Sequence, residues 1–177
     1  MRFYLTTLMV ALLPVSAHAE VKSATEAGFA VSSTVEIAAS PDAVYALIAN
    51  PADWWLSDHT YSGDAANMTI DPRAGGCFCE AIPGRDGAPS GSIEHARVIY
   101  AQPGRLLRMS GALGPLQAEA AIGTLTFSLK PHDGVTSVTM DYAVGGYVRG
   151  GAGSLATVVD MVLGQQLQSL AAHAAKQ

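Results

Sequence analysis

Charge is scarce in this chain. Asp, Glu, Lys and Arg together make up 14% of its 177 residues, against about 25% in ordinary globular chains. Ten residues are basic and fifteen acidic, for a formal net charge of −5. That balance excludes the basic surface that nucleic acid or an anionic membrane would need. Long apolar runs are also missing, and the best of them, Phe3 to Val15, falls short of the ~20 residues that span a bilayer. There is no phosphate-cradling glycine loop, no Ser/His/Asp signature, no internal repeat and no linker long enough to divide domains. Cysteine occurs twice, at Cys77 and Cys79. What is left is one domain with room for a sizeable core.

The first 19 residues read as a targeting segment. Arg2 gives the positive start, Phe3 to Val15 the apolar stretch, and Ala17-His18-Ala19 a small-residue cleavage site. Cleavage before Glu20 would yield a periplasmic or secreted chain with no membrane span. In an oxidising compartment the two cysteines are free to pair.

Residues 20–28 are polar and small, and read as a short tail before a single domain over 29–177. Phe29 to Ile37 alternates as a half-buried strand, with Phe29, Val31, Val35 and Ile37 on one face. Ser40-Pro41-Asp42 opens a helix, with Ser40 at the cap and Pro41 at the first helical position. It stops near Asn50-Pro51, and Asp53-Trp54-Trp55 begins a second short turn or helix. Strands are expected over roughly 67–71, 77–82, 92–101 and 105–110, separated by Pro/Gly turns. Residues 111–121 form a longer connection centred on Gly114-Pro115. The last two strands pair as a hairpin through His132-Asp133-Gly134, and 145–153 is a glycine-rich loop.

The C-terminal stretch from Ser154 to about Ala175 reads as one long helix capped by Ser154. Leu155, Val158, Val159, Val162, Leu163, Leu167 and Leu170 give it a continuous apolar stripe. Strands in the middle and one long helix at the end imply an α+β fold with an antiparallel sheet of six to seven strands. A curved sheet wrapped around one helix leaves a gap where an apolar ligand fits.

This pattern resembles the START-like superfamily (SRPBCC), the helix-grip proteins that include polyketide cyclases and lipid-transfer domains. The likeness is greatest to its polyketide-cyclase and chaperone-ATPase-activator branches. Val35-Glu36-Ile37, Ser40 to Tyr45, Trp54-Trp55, Asp71 to Gly76, Pro103 to Leu107 and the final helix carry the resemblance. It implies a helix-grip fold, two short helices after the first strand, and a cavity between sheet and C-terminal helix. No catalytic motif of the cyclases is present to carry over.

The residues expected to meet a ligand are Trp54, Trp55, His59, Cys77, Cys79, His95, Leu113, Leu116, Tyr147 and Met161. The tryptophan pair either closes the core at one end of the sheet or stacks on ligand at the rim. Leu113 to Leu116 and Gly146-Tyr147 read as ordinary connections or as a gate.

Cys77 and Cys79 lie two apart on a strand, on one face, at the edge of what a disulfide tolerates. Packing or a structural bond, a ligand-contacting or redox role, and metal binding with His59 and His95 are all open to them. No cofactor and no metal is expected. Glu80 and His95 are the weak catalytic candidates, as a carboxylate beside an imidazole; the bland alternative pairs Glu80 with Arg97 or Arg108. The leading expectation is a carrier of a small apolar or amphipathic molecule. A cyclase- or hydro-lyase-type enzyme using Glu80 and His95, and a module that binds a protein partner, are the alternatives.

Overall fold

The structure is a computed structural model that describes residues 18–176. Most of the expected targeting segment therefore lies outside the described residues. Among the described residues, eight strands form one antiparallel sheet in the order β1-β2-β8-β7-β6-β5-β4-β3. They are β1 His18–Thr25, β2 Gly28–Ile37, β3 Met68–Ile70, β4 Cys77–Ile82, β5 Gly91–Gln102, β6 Leu106–Gly111, β7 Ala120–His132 and β8 Val135–Tyr147. Helix α1 spans Pro41–Ile48 and helix α2 spans Ala156–Ala174. The sheet curves around α2, which packs mainly against β2 and β1. This is the α+β helix-grip architecture that the sequence implied.

Local chemistry explains most boundaries. Ser40 caps α1 by accepting from the Ala43 N–H, and Pro41 occupies the first turn, where its missing N–H costs nothing. Three short 3-10 turns, Pro51–Asp53, Ser57–His59 and Ala65–Asn67, take the place of one second helix. In β2, Phe29, Val31, Ser33, Val35 and Ile37 are all buried while their neighbours face outward. The β7–β8 hairpin closes through Asp133-Gly134, both with positive φ (48° and 80°). That is the two-residue turn whose twist matches a right-handed ribbon.

Four local expectations need correction. Residues 20–28 are not a tail: β1 runs over His18–Thr25 and pairs with β2, which accounts for the eighth strand. Over 20–25 its side chains are mostly exposed, with Val21 packed on the core, so an edge strand with almost no apolar face gave no alternation to read. Ser154 does not cap α2. Its hydroxyl bonds to the Gly151 carbonyl at 2.7 Å, because a 3-10 turn over Ala152–Leu155 precedes the helix. Strand β8 continues to Tyr147, where a glycine-rich loop was expected from 145. The 111–121 connection holds a 3-10 turn over Gly114–Ala118, and β7 already begins at Ala120.

The apolar stripe of α2 divides in two. Leu163, Leu167 and Leu170 are fully buried against the sheet, each stabilising the fold by roughly 1.5–3 kcal/mol. Val158 is exposed, and Val159 and Val162 are only partly covered. The first half of the helix thus turns its apolar face to a space rather than to the core.

Candidate functional site

That space is a cavity of about 450 Å³, within the usual range for small-molecule sites. One wall is Trp55 and His59 to Tyr61; the lip is Leu113 to Leu116; Tyr142 forms the floor; Val158, Val159, Val162 and Leu163 form the α2 side. Its lining is almost wholly apolar, with the His59 ring, the Thr60 hydroxyl and the tyrosine hydroxyls as the polar groups.

Hydrogen bonds from three directions hold the 54–62 wall. On the helix side, Gln166, fully buried on α2, accepts from the Leu56 N–H at 2.8 Å. Ser169 donates to the Trp54 carbonyl at 2.5 Å, and His59 Nε2 meets Gln165 Oε1 at 3.2 Å. Within the wall, Trp55 Nε1 donates to the His59 carbonyl at 3.1 Å.

The third anchor comes from the sheet. Glu80 on β4 is 1% exposed, and its carboxylate accepts from the Tyr61 N–H at 3.1 Å and from the Ser62 N–H. His95 Nε2 lies 3.0 Å from the same carboxylate.

A β-bulge makes that last contact. Between β4 and β5 the register passes from Phe78↔Ala96 to Cys79↔Glu94, leaving His95 as the extra residue. Both His95 and Ala96 are buried as a result, where strict alternation would turn one of them outward. Burial, the largest influence on His95, lowers its pKa, against the upward pull of Glu80. The imidazole is therefore neutral at pH 7 and donates through Nε2. Burial alone would raise the Glu80 pKa, but the hydrogen bonds from Ser62, Tyr61 and His95 together lower it. Glu80 is an ionised clamp.

The lip is tied down by tyrosines. Tyr142 Oη accepts from the Leu113 N–H at 3.1 Å and donates to the Gly111 carbonyl at 3.2 Å. Burial, opposed by the Leu113 bond, pushes its pKa up to about 12. Its ring lies across Gly123 on β7, where an added Cβ would come within 2.3 Å of it. Tyr61 Oη donates to the Gly114 carbonyl at 2.7 Å, joining wall to lip.

Among the residues expected to meet a ligand, Trp55, His59, Leu113 and Leu116 line the cavity. The tryptophan pair splits between its two readings. Trp54 is 2% exposed and stacks edge-on to Phe127 in the core, while Trp55 faces the cavity. His95 sits behind the wall, packed between Tyr61 and Phe78, and neither it nor Glu80 lines the cavity. Cys77 and Cys79 lie on the opposite face of β4 from the buried Phe78 and Glu80, joined by a disulfide with Cα atoms 5.4 Å apart. Tyr147 and Met161 are more than half exposed and outside the cavity.

The structure decides between the two kinds of neighbour that the sequence offered Glu80. Glu80 bonds to His95 rather than to Arg97 or Arg108; Arg97 instead pairs with Glu94 and Arg108 bonds to Thr126. Among the described residues, no group of three or more His, Cys, Asp or Glu is placed to hold a metal. The sequence reading missed Thr60, Tyr142 and the valines of α2 as lining. Only the length of the α2 stripe hinted at the valines, and it reads equally as core.

A curved antiparallel sheet closed by one long helix, with an apolar cavity between them, defines the helix-grip class and places the chain in the START-like superfamily. Residues 28–175 match the family described as polyketide cyclase / dehydrase and lipid transport, and the chain belongs to that family. No curated protein matches it in sequence. Its fold is similar to that of Mll3558 from Rhizobium loti, at 21% identity, TM-score 0.58, covering 89% of this chain and 99% of that one. It is also similar to NE0264 from Nitrosomonas europaea, at 13% identity, TM-score 0.57, covering 85% and 96%. CalU16 from Micromonospora echinospora shares 13% identity at TM-score 0.55, covering 92% and 87%.

Proposed function

We propose that this chain is an exported carrier that holds one small apolar or amphipathic molecule in the cavity between the 55–61 wall, the 113–116 lip and α2. The observation that carries the reading is the unfilled half of the α2 stripe, Val158, Val159 and Val162, facing Trp55, Tyr61 and Tyr142 across about 450 Å³. A ligand of about 20 non-hydrogen atoms, at about 0.3 kcal/mol each, would bind with about 6 kcal/mol, or tens of micromolar. His59 and the Thr60 hydroxyl would orient its polar end. Export is supported by the Ala17-His18-Ala19 cleavage pattern and by the disulfide, which persists in oxidising compartments.

Catalysis by Glu80 and His95 is not favoured, since the carboxylate is occupied by three donors and Tyr61 stands between the pair and the cavity side. The test is titration of the mature chain with an anilinonaphthalene sulfonate probe, beside a Val162→Trp variant that fills the space. The reading requires saturable, one-to-one binding in the wild type and at least a tenfold loss in the variant with the fold intact. Equal binding by both proteins would refute it.

A further inference from the structure

The Cys77–Cys79 disulfide has no part in the cavity reading, and its position shows that it is a poor staple. It closes across a single residue, so it removes little chain freedom from the unfolded state; the stabilising effect of a cross-link grows with the loop it closes. The residues it joins are already held by β4, between β3 and β5. The pair is also reachable. Both cysteines are partly exposed on the outer face, and β3 is a three-residue edge strand that pairs with Phe78, Cys79 and Glu80 but leaves Cys77 beyond its end.

The one residue enclosed by the bond is Phe78, which is 1% exposed and packs edge-on against Trp55 at 5.4 Å and in a tilted contact with His95 at 5.0 Å. The next residue after the bond is Glu80, the clamp of the wall. The bond therefore brackets the short piece of β4 from which the cavity wall is hung.

We propose that Cys77–Cys79 is a thiol–disulfide exchange site whose redox state sets the position of the Trp55–Tyr61 wall. The co-reactant is a dithiol protein or a small thiol. Its thiolate attacks Cys79 Sγ, forming a mixed disulfide and expelling Cys77 as a thiolate. A second thiol of the reductant then attacks the mixed disulfide and releases Cys79, leaving the reductant oxidised by two electrons and the chain with two thiols. Both cysteines are partly exposed, and attack at Cys77 with Cys79 leaving gives the same products. In the reverse direction a disulfide oxidant restores the bond.

The exchange and its effect on the wall are both read without any ligand, so they stand apart from the carrier reading. The oxidised, folded chain is equilibrated in millimolar glutathione buffers of graded reduced-to-oxidised ratio, quenched with an alkylating agent and weighed intact, with tryptophan emission recorded alongside. The expected result is a passage from zero to two alkylated cysteines within the series, and an emission shift in step with it. A Cys77→Ser, Cys79→Ser double variant should show the reduced-form emission at every ratio. Should that variant fail to fold, the wild-type series still decides. A bond that survives every ratio and opens only after unfolding overturns the exchange site, since structural disulfides resist the glutathione pool. Complete reduction with unchanged emission overturns the link to the wall.

Discussion

Replacing Glu80 by alanine tests whether the wall depends on a single buried carboxylate. The change strands three donors at once: the Tyr61 and Ser62 N–H groups and His95 Nε2. A buried donor left without a partner costs about 1–3 kcal/mol, and water entering beside the half-exposed Tyr61 would relieve part of that. Three such donors, partly relieved, put the loss at roughly 3–5 kcal/mol. A domain this size has only about 5–15 kcal/mol to lose. Urea unfolding followed by tryptophan emission measures it, with an unchanged slope confirming that stability alone has moved. Glu80→Gln keeps the volume and one acceptor oxygen and should lose clearly less. Probe binding should fall together with stability in the alanine variant, because the wall is released. A loss below about 1 kcal/mol, or full stability with only a chemical activity lost, would refute the clamp.

Acid should destabilise the chain in two stages. His95 has a folded pKa below 6.5, so the unfolded chain binds its proton first and stability declines below about pH 6.5; Glu80, with a folded pKa below 4.5, adds a second decline below about pH 4.5. Urea midpoints from pH 8 to 4 check this, and His95→Gln should flatten the first stage. Tyr142→Phe removes the hydroxyl that holds Gly111 and Leu113, and should cost about 1–2 kcal/mol and speed amide exchange at Leu113. If export cleaves before Glu20, β1 keeps its pairs from Glu20↔Ser32 onward. The new ammonium then arises beside Asp160, whose pKa burial raises, whose Oδ1 is buried without a partner, and which the Glu20 N–H contacts. Asp160→Asn should therefore weaken the mature chain more than an N-terminally extended one, as read by thermal unfolding.

The fold was legible because its main signals are local. Alternation in β2 and the last hairpin, the Ser40-Pro41 start and the stripe of α2 each follow from spacing alone. What escaped depended on distant partners. Strand β1 exists because β2 offers it an edge, not because its own residues alternate. His95 turns inward through a bulge that shows only when two strands are paired. The inward face of Phe78 and Glu80, and with it the outward face of the cysteines, was one of two options until Met68 and Ile70 settled the register. The valines of α2 look like core in sequence, and only the distance to the lip makes them a cavity wall.

The central claim is that a small apolar molecule binds between the 55–61 wall, the 113–116 lip and the first half of α2. Amide and indole shift mapping of the isotope-labelled mature chain, titrated with the naphthalene probe, tests it most directly. The account predicts shifts concentrated on the Trp55 indole, Tyr61, Leu113 to Leu116 and Val158 to Leu163, saturating together at one equivalent. Shifts centred on the exposed outer residues Ile99, Tyr100 and Ile122, with the Trp55 indole unmoved, would contradict it.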